Sequence, residues 1–112
     1  MRIIGVLSIG LVLAAGAPVA QAPESAQPVG TMSELMVSMI YPATNDLLLV
    51  VHRGAPKDDK EWAMVQRSAI VLAESGNLLM MRGRARDQGD WIKYSRMLVD
   101  AGAAAYKAAR AR

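Results

Sequence analysis

The side chains best suited to chemistry in this chain are three thioethers. Met32, Met36 and Met39 stand at i, i+4 and i+7, the spacing of one helical face, and a thioether can coordinate copper(I) or serve as an axial ligand to haem iron. Methionine also fills irregular gaps between helices. With eight Met and no Phe in the sequence, core packing is the plainer use of that stripe. Arg82, Arg84 and Arg86 alternate through RGRAR and suit an anion such as a haem propionate, a phosphate or an acidic protein. Alternating charge in a turn is equally the pattern of a solvated loop. His52 stands alone, with no second His or Cys near it, and reads as a surface residue rather than a metal ligand. Asp58, Asp59 and Glu61 resemble an acidic metal cluster, yet they sit where a helix begins and capping accounts for them. No nucleophile elbow is present, so no enzyme is expected.

Composition narrows the classes further. There is no cysteine, which excludes disulfides, thiolate metal sites and thioether-linked haem; a single His excludes zinc-type sets unless carboxylates or partner chains contribute. Residues 1–22 read as a signal peptide: Met1-Arg2 is a positive start, Ile3–Ala17 an apolar run, and Ala20-Gln21-Ala22 a small-x-small cleavage pattern. The expected location is therefore exported and periplasmic. Pro23 directly after the pattern disfavours that bond, and an uncleaved anchor is the alternative, although the run is shorter than the roughly 20 residues a span needs. After cleavage no stable membrane span is expected. Residues 23–112 carry 12 Lys/Arg and 10 Asp/Glu, a net charge of 12 − 10 = +2, interspersed in a way that does not indicate nucleic-acid binding.

The elements that would position these side chains are helical. Residues 23–30 (PESAQPVG) form a flexible lead-in, and residues 31–112 a single helical domain. Thr31-Met32-Ser33-Glu34 has the form of a capping box, and a first helix follows with Met32, Leu35, Met36, Met39 and Ile40 on one face. Pro42 predicts a kink or restart near Tyr41–Asp46. The run Leu47–Val51 fits a strand or a helix; a lone strand would lack a partner, which favours the helix. Asp58 is the expected N-cap of a second helix that runs to Met80 or Met81, with Trp62, Val65, Ala69, Leu72, Gly76 and Leu79 inward. Gly76 is expected to admit another helix closely, and Trp62→Ala to cost about 3–5 kcal/mol if the ring is buried. After the connection Arg82–Gly89, Asp90 is the expected cap of a third helix with Trp91, Tyr94, Leu98, Ala101/Gly102 and Ala105 inward. Lys107, Arg110 and Arg112 suit the negative pole at its end. The fold class is all-α, an antiparallel up-down bundle of three main helices with the first kinked at Pro42.

Taken in order, ELMVSMIYPATNDLLL, EWAMVQRSAIVLAESGNLLMMRGRARDQGDW and LVDAGAAAYKAARA resemble the first three helices of periplasmic four-helix-bundle c-type cytochromes of the cytochrome c-prime type. The resemblance covers nearly all of residues 31–110. It implies an up-down-up-down bundle, electron transfer, and haem held through a C-x-x-C-H motif on a fourth helix. In low-spin relatives a methionine of the first helix is the other iron ligand; Met36 is the best positional match, with Met32 and Met39 as alternatives, and Arg82 and Arg84 would face the haem carboxylates. This sequence contains neither the fourth helix nor C-x-x-C-H, so it reads as truncated relative to the family and holds no covalent haem. Two readings follow. One is a cytochrome c-prime-like protein without covalent haem, with non-covalent haem left open. The other is a haem-free interaction or ligand-binding module. In either, an incomplete four-helix core should leave an apolar groove of Met, Leu and Trp that takes a second copy or a partner helix.

Overall fold

The computed structural model describes residues 26–112 together with Gly16; the signal peptide expected over 1–22 and the start of the lead-in lie outside the described residues. Among the described residues the chain is helical without a strand: α1 is Met32–Leu35, a π-helical turn spans Met36–Ile40, α2 is Tyr41–Arg53, α3 is Asp59–Leu79 and α4 is Asp90–Ala111. Leu47–Val51 is therefore helix.

The first helix starts as the sequence dictates. Thr31 Oγ accepts from the Glu34 amide at 3.1 Å while Glu34 Oε2 accepts from the Thr31 amide at 2.7 Å, closing both halves of a capping box. The Thr31 N–H, and after it the Thr31 hydroxyl, hold the Glu34 carboxyl below its ordinary value of 4.5. A depressed carboxyl contributes stability above the unfolded-state range and loses it as pH falls through the folded value. An NMR titration should place the Glu34 midpoint below 4.5, and T31A, which removes the hydroxyl but keeps the backbone N–H, should move it part of the way back up; an unchanged midpoint in T31A would contradict the hydroxyl's share in the cap.

Pro42 explains what comes next. It has no N–H, and in a regular helix its ring would press on the carbonyl of Ser38. The chain relieves this one turn early: the Tyr41 N–H bonds to Met36 O, five residues back, and α2 restarts with Pro42 in its first turn. The expected irregularity is present, on Met36–Ile40 rather than Tyr41–Asp46. Gly54, at φ 112°, ends α2.

The whole run Met32–Arg53, 22 residues of mean hydropathy 1.3, is long and apolar enough to cross a membrane by length and composition. It also packs on α3, burying Leu35, Ile40 and Ala43 against Leu72, with Met32, Met36, Met39, Leu47, Leu78 and Leu79 around them. Ser68 Oγ donates to Asp46 Oδ2 at 2.8 Å and ties α2 to α3.

The most extensive contact joins α3 and α4, which run antiparallel as a close-packed pair. A Cβ at Gly76 would lie 2.7 Å from Ser95 O, and one at Gly102 would lie 2.5 Å from Ala73 N. Gly76 thus does admit a neighbouring helix, and Gly102 does the same from the other side. Ala69, Ala73, Ser75, Ser95 and Ala109 complete this small-residue seam, all buried. Its ends are fastened by polar groups. Trp91 Nε1 donates to Leu79 O at 2.7 Å, Gln66 Nε2 donates to Ala109 O at 3.1 Å, and Arg112 pairs with Asp59 while lying over the Trp62 ring.

Three sequence expectations need correcting. Trp62 is half-buried, so its truncation falls short of the full-burial cost. Tyr94 is exposed, and Ser95 takes the inward position, in step with the buried Gly102 and Ala109 one and two heptads further on. Asp90 does not cap α4; the N-cap is Gly89, and Asp87 Oδ1 accepts from the Gly89 and Trp91 amides at 2.9 and 3.1 Å.

Candidate binding cleft between the N-terminal helical run and α4

Because α3 lies in the middle, the N-terminal run and α4 diverge from its C-terminal half and leave a cleft of about 420 Å³. Met32 and Met36 form one wall, Trp91, Tyr94 and Ser95 the other, and Leu79 the floor; Asp87 and Asp90 stand at the rim. Each wall is set by a local device. The π-helical turn carries Met36, while Trp91 is held by its indole bond to the Leu79 carbonyl at the end of α3. The Asp87 bonds fix the entry to α4 and bring a carboxylate to the mouth.

The three candidate thioethers part company here. Met32 and Met36 line this cleft, whereas Met39 lines a second, open pocket of about 560 Å³ with Leu35, Leu78, Met81, Arg84 and the lead-in residues 27–30. All three still pack on the Leu35, Ile40, Ala43 and Leu72 core; they differ in which pocket each opens onto.

The arginines also separate. The Arg84 guanidinium donates to Leu78 O at 2.8 Å and to Gly30 O at 2.9 Å, capping the end of α3 and pinning the lead-in. Arg82 and Arg86 are exposed. His52 is exposed at the end of α2. Asp58 caps α3, Glu61 accepts from the Lys57 amide and Asp59 pairs with Arg112; no His/Cys/Asp/Glu group fit for a metal ion occurs among the described residues.

No family model, curated protein or solved structure matches this chain.

The cleft itself can be tested against the groups the sequence suggested. Haem does not fit it well. Two carboxylates at the mouth repel propionates, Arg84 is engaged with backbone carbonyls on the other side of the bundle, and no cysteine exists for thioether attachment. What the arrangement suits is an apolar body with positive charge at one end: thioethers and an indole adapt to irregular aliphatic or aromatic surface, and the carboxylates attract a cation. Sequence reading singled out Met32, Met36 and Trp91, but not Asp87, Asp90 as a rim group, Tyr94 as an outer wall, or the 27–30 segment under Arg84. The one available signal was the D-x-G-x-W spacing, which places Asp87 to bond amides ahead of the tryptophan.

Proposed function

We propose that this chain is an exported, haem-free helical binding module of cytochrome c-prime-like architecture, whose cleft receives an amphipathic helix with Lys or Arg at one end. The observation that carries this is the pairing of an apolar wall (Met32, Met36, Leu79, Trp91) with the carboxylates of Asp87 and Asp90. Helix-in-groove recognition uses this kind of surface, in which apolar anchors at i, i+3/i+4 and i+7 supply the affinity and terminal charge sets direction. Electron transfer, which the cytochrome c-prime resemblance implies, would need a cofactor that no cysteine of this chain can attach.

The test is methionine-methyl NMR on the protein titrated with a synthetic Leu-rich amphipathic helix carrying Lys at one end. The Met32 and Met36 methyls and the Trp91 indole should shift together, while Met97 on the outer face of α4 stays fixed. Met36→Lys, which would place a second kind of charge in the apolar wall, should weaken binding tenfold or more, about 1.4 kcal/mol. Simultaneous shifts at Met97, or none at Met32 and Met36, would contradict the assignment. Hemin added to the same sample should give no saturable Soret shift. A stoichiometric low-spin spectrum lost in M36A would reverse the reading in favour of haem.

A further inference from the structure

The cleft wall formed by the N-terminal run consists of two thioethers. Met32 and Met36 are half-buried, one helical turn apart, and both open onto the space bounded by Trp91 and Tyr94. The chain has eight methionines and no cysteine, so thioethers are its only sulfur groups. Other methionines lie elsewhere: Met39 and Met81 line the second pocket, and Met97, 56% exposed, is on the outer face of α4. The cleft is poor in donors for a polar group on the thioether wall. The Trp91 indole N–H goes to Leu79 O, the Ser95 hydroxyl goes to Trp91 O at 2.7 Å, and the Asp87 and Asp90 carboxylates only accept. That leaves the Tyr94 hydroxyl, on the opposite wall.

We propose that Met32 and Met36 are a reversible oxidation site that governs the cleft, lowering its affinity for a partner when either thioether becomes a sulfoxide. The proposal rests on the reading of the cleft as a helix-binding site. The oxidant is a peroxide. A sulfur lone pair attacks one oxygen of hydrogen peroxide, and an S–O bond forms as the O–O bond breaks. The departing hydroxide takes the proton from the transferred oxygen and leaves as water; sulfur has given up two electrons and the peroxide has accepted them. The product is a polar acceptor where the apolar face of the partner has to sit. In the free protein, water satisfies that acceptor at the open cleft. A bound helix expels the water, so oxidation penalises the complex rather than the free protein. Both side chains also border the core, so helix content has to be followed alongside binding. Met97, being more exposed, takes up oxygen sooner and does so without touching the cleft.

The test treats the intact protein with hydrogen peroxide, locates each added oxygen by peptide mass spectrometry, and measures affinity for the Lys-tipped Leu-rich helix. With oxygen on Met32 or Met36 the affinity should fall about tenfold or more at unchanged helix content, and methionine sulfoxide reductase should restore it. Met36→Gln, a fixed polar side chain of similar length, should weaken binding without any oxidant. Whatever affinity M32L/M36L starts from, peroxide should leave it unaltered, whereas M97L should respond as the parent does. Bound helix should slow oxidation at Met32 and Met36 several-fold and leave the rate at Met97 as it was. Undiminished affinity with oxygen on Met32 and Met36 would overturn the proposal, as would an equal loss in M32L/M36L or a loss of helix content on oxidation. If the unoxidised protein binds no helix, the binding reading fails and this proposal with it. If it binds equally well before and after oxidation, this proposal alone fails.

Discussion

Gly102→Ala should lower the thermal midpoint by about 8–16 °C, the largest effect expected of any single methyl group in this molecule. The added Cβ would lie 2.5 Å from Ala73 N, 2.8 Å from Ala73 Cα and 3.0 Å from Ala69 O, all backbone atoms of α3. No side chain can swing away, so α3 and α4 must separate along their whole seam. Overpacking of this kind costs about 1–3 kcal/mol, and the backbone contacts place this case at the upper end. Alanine's better helix propensity returns about 1 kcal/mol, too little to change the sign. Each kcal/mol moves the midpoint of a domain this small by about 4–8 °C. Gly76→Ala should be somewhat milder, because the nearest atom, Val99 Cγ2 at 2.5 Å, belongs to a side chain that can move, although the backbone atoms Ser95 O at 2.7 Å and Val99 N at 2.9 Å cannot. Calorimetry of the two variants checks both the sign and the order. A G102A protein as stable as the parent would show that the seam is not close-packed.

Trp91 carries the second large effect. Its indole N–H donates to Leu79 O at 2.7 Å, satisfying a carbonyl that the end of α3 leaves open, while its ring forms a wall of the cleft. Trp91→Phe keeps most of the ring and loses the bond, which should cost about 1 kcal/mol. Trp91→Ala loses both, and because the ring is half-buried the cost should be about 2–3 kcal/mol, below that of a fully buried tryptophan. The difference between the two variants isolates the ring. Urea unfolding measures it, and W91A should also abolish the Met32 and Met36 methyl shifts on addition of the amphipathic helix. If W91A unfolds within about 0.5 kcal/mol of the parent, in the range of ordinary surface changes, then Trp91 does not fasten α3 to α4.

The elements were largely legible in the sequence because their signals are local. The Thr31–Glu34 box, Asp58 before α3 and the period of Trp62, Ala69, Leu72 and Gly76 each act within a few residues. Gly76 even announced a close neighbour. What the sequence did not disclose depends on where helices sit against each other. Tyr94 and Ser95 are adjacent, and which of them turns inward is decided by how closely Gly102 lets α4 approach α3, a property of two helices rather than one. Met39 packs on the same core as Met32 and Met36 yet opens onto the other pocket, which composition could not foresee, and proline indicates a disturbance without stating on which turn it will fall. Arg84 looked like one of three equal charges; only the folded lead-in supplies Gly30 O and makes it a structural residue. For the same reason the cleft's apolar lining was foreseeable from composition and its acidic rim was not.

The account stands or falls on whether the cleft works without haem. Native mass spectrometry of the protein isolated from its own cells, read together with its visible spectrum, tests this most directly. The expected result is a polypeptide from which the residues before Pro23 have been removed, with no Soret band and no mass added by a porphyrin. A haem adduct, covalent or retained through desalting, would contradict the account and make Met36 an iron ligand rather than part of an apolar wall.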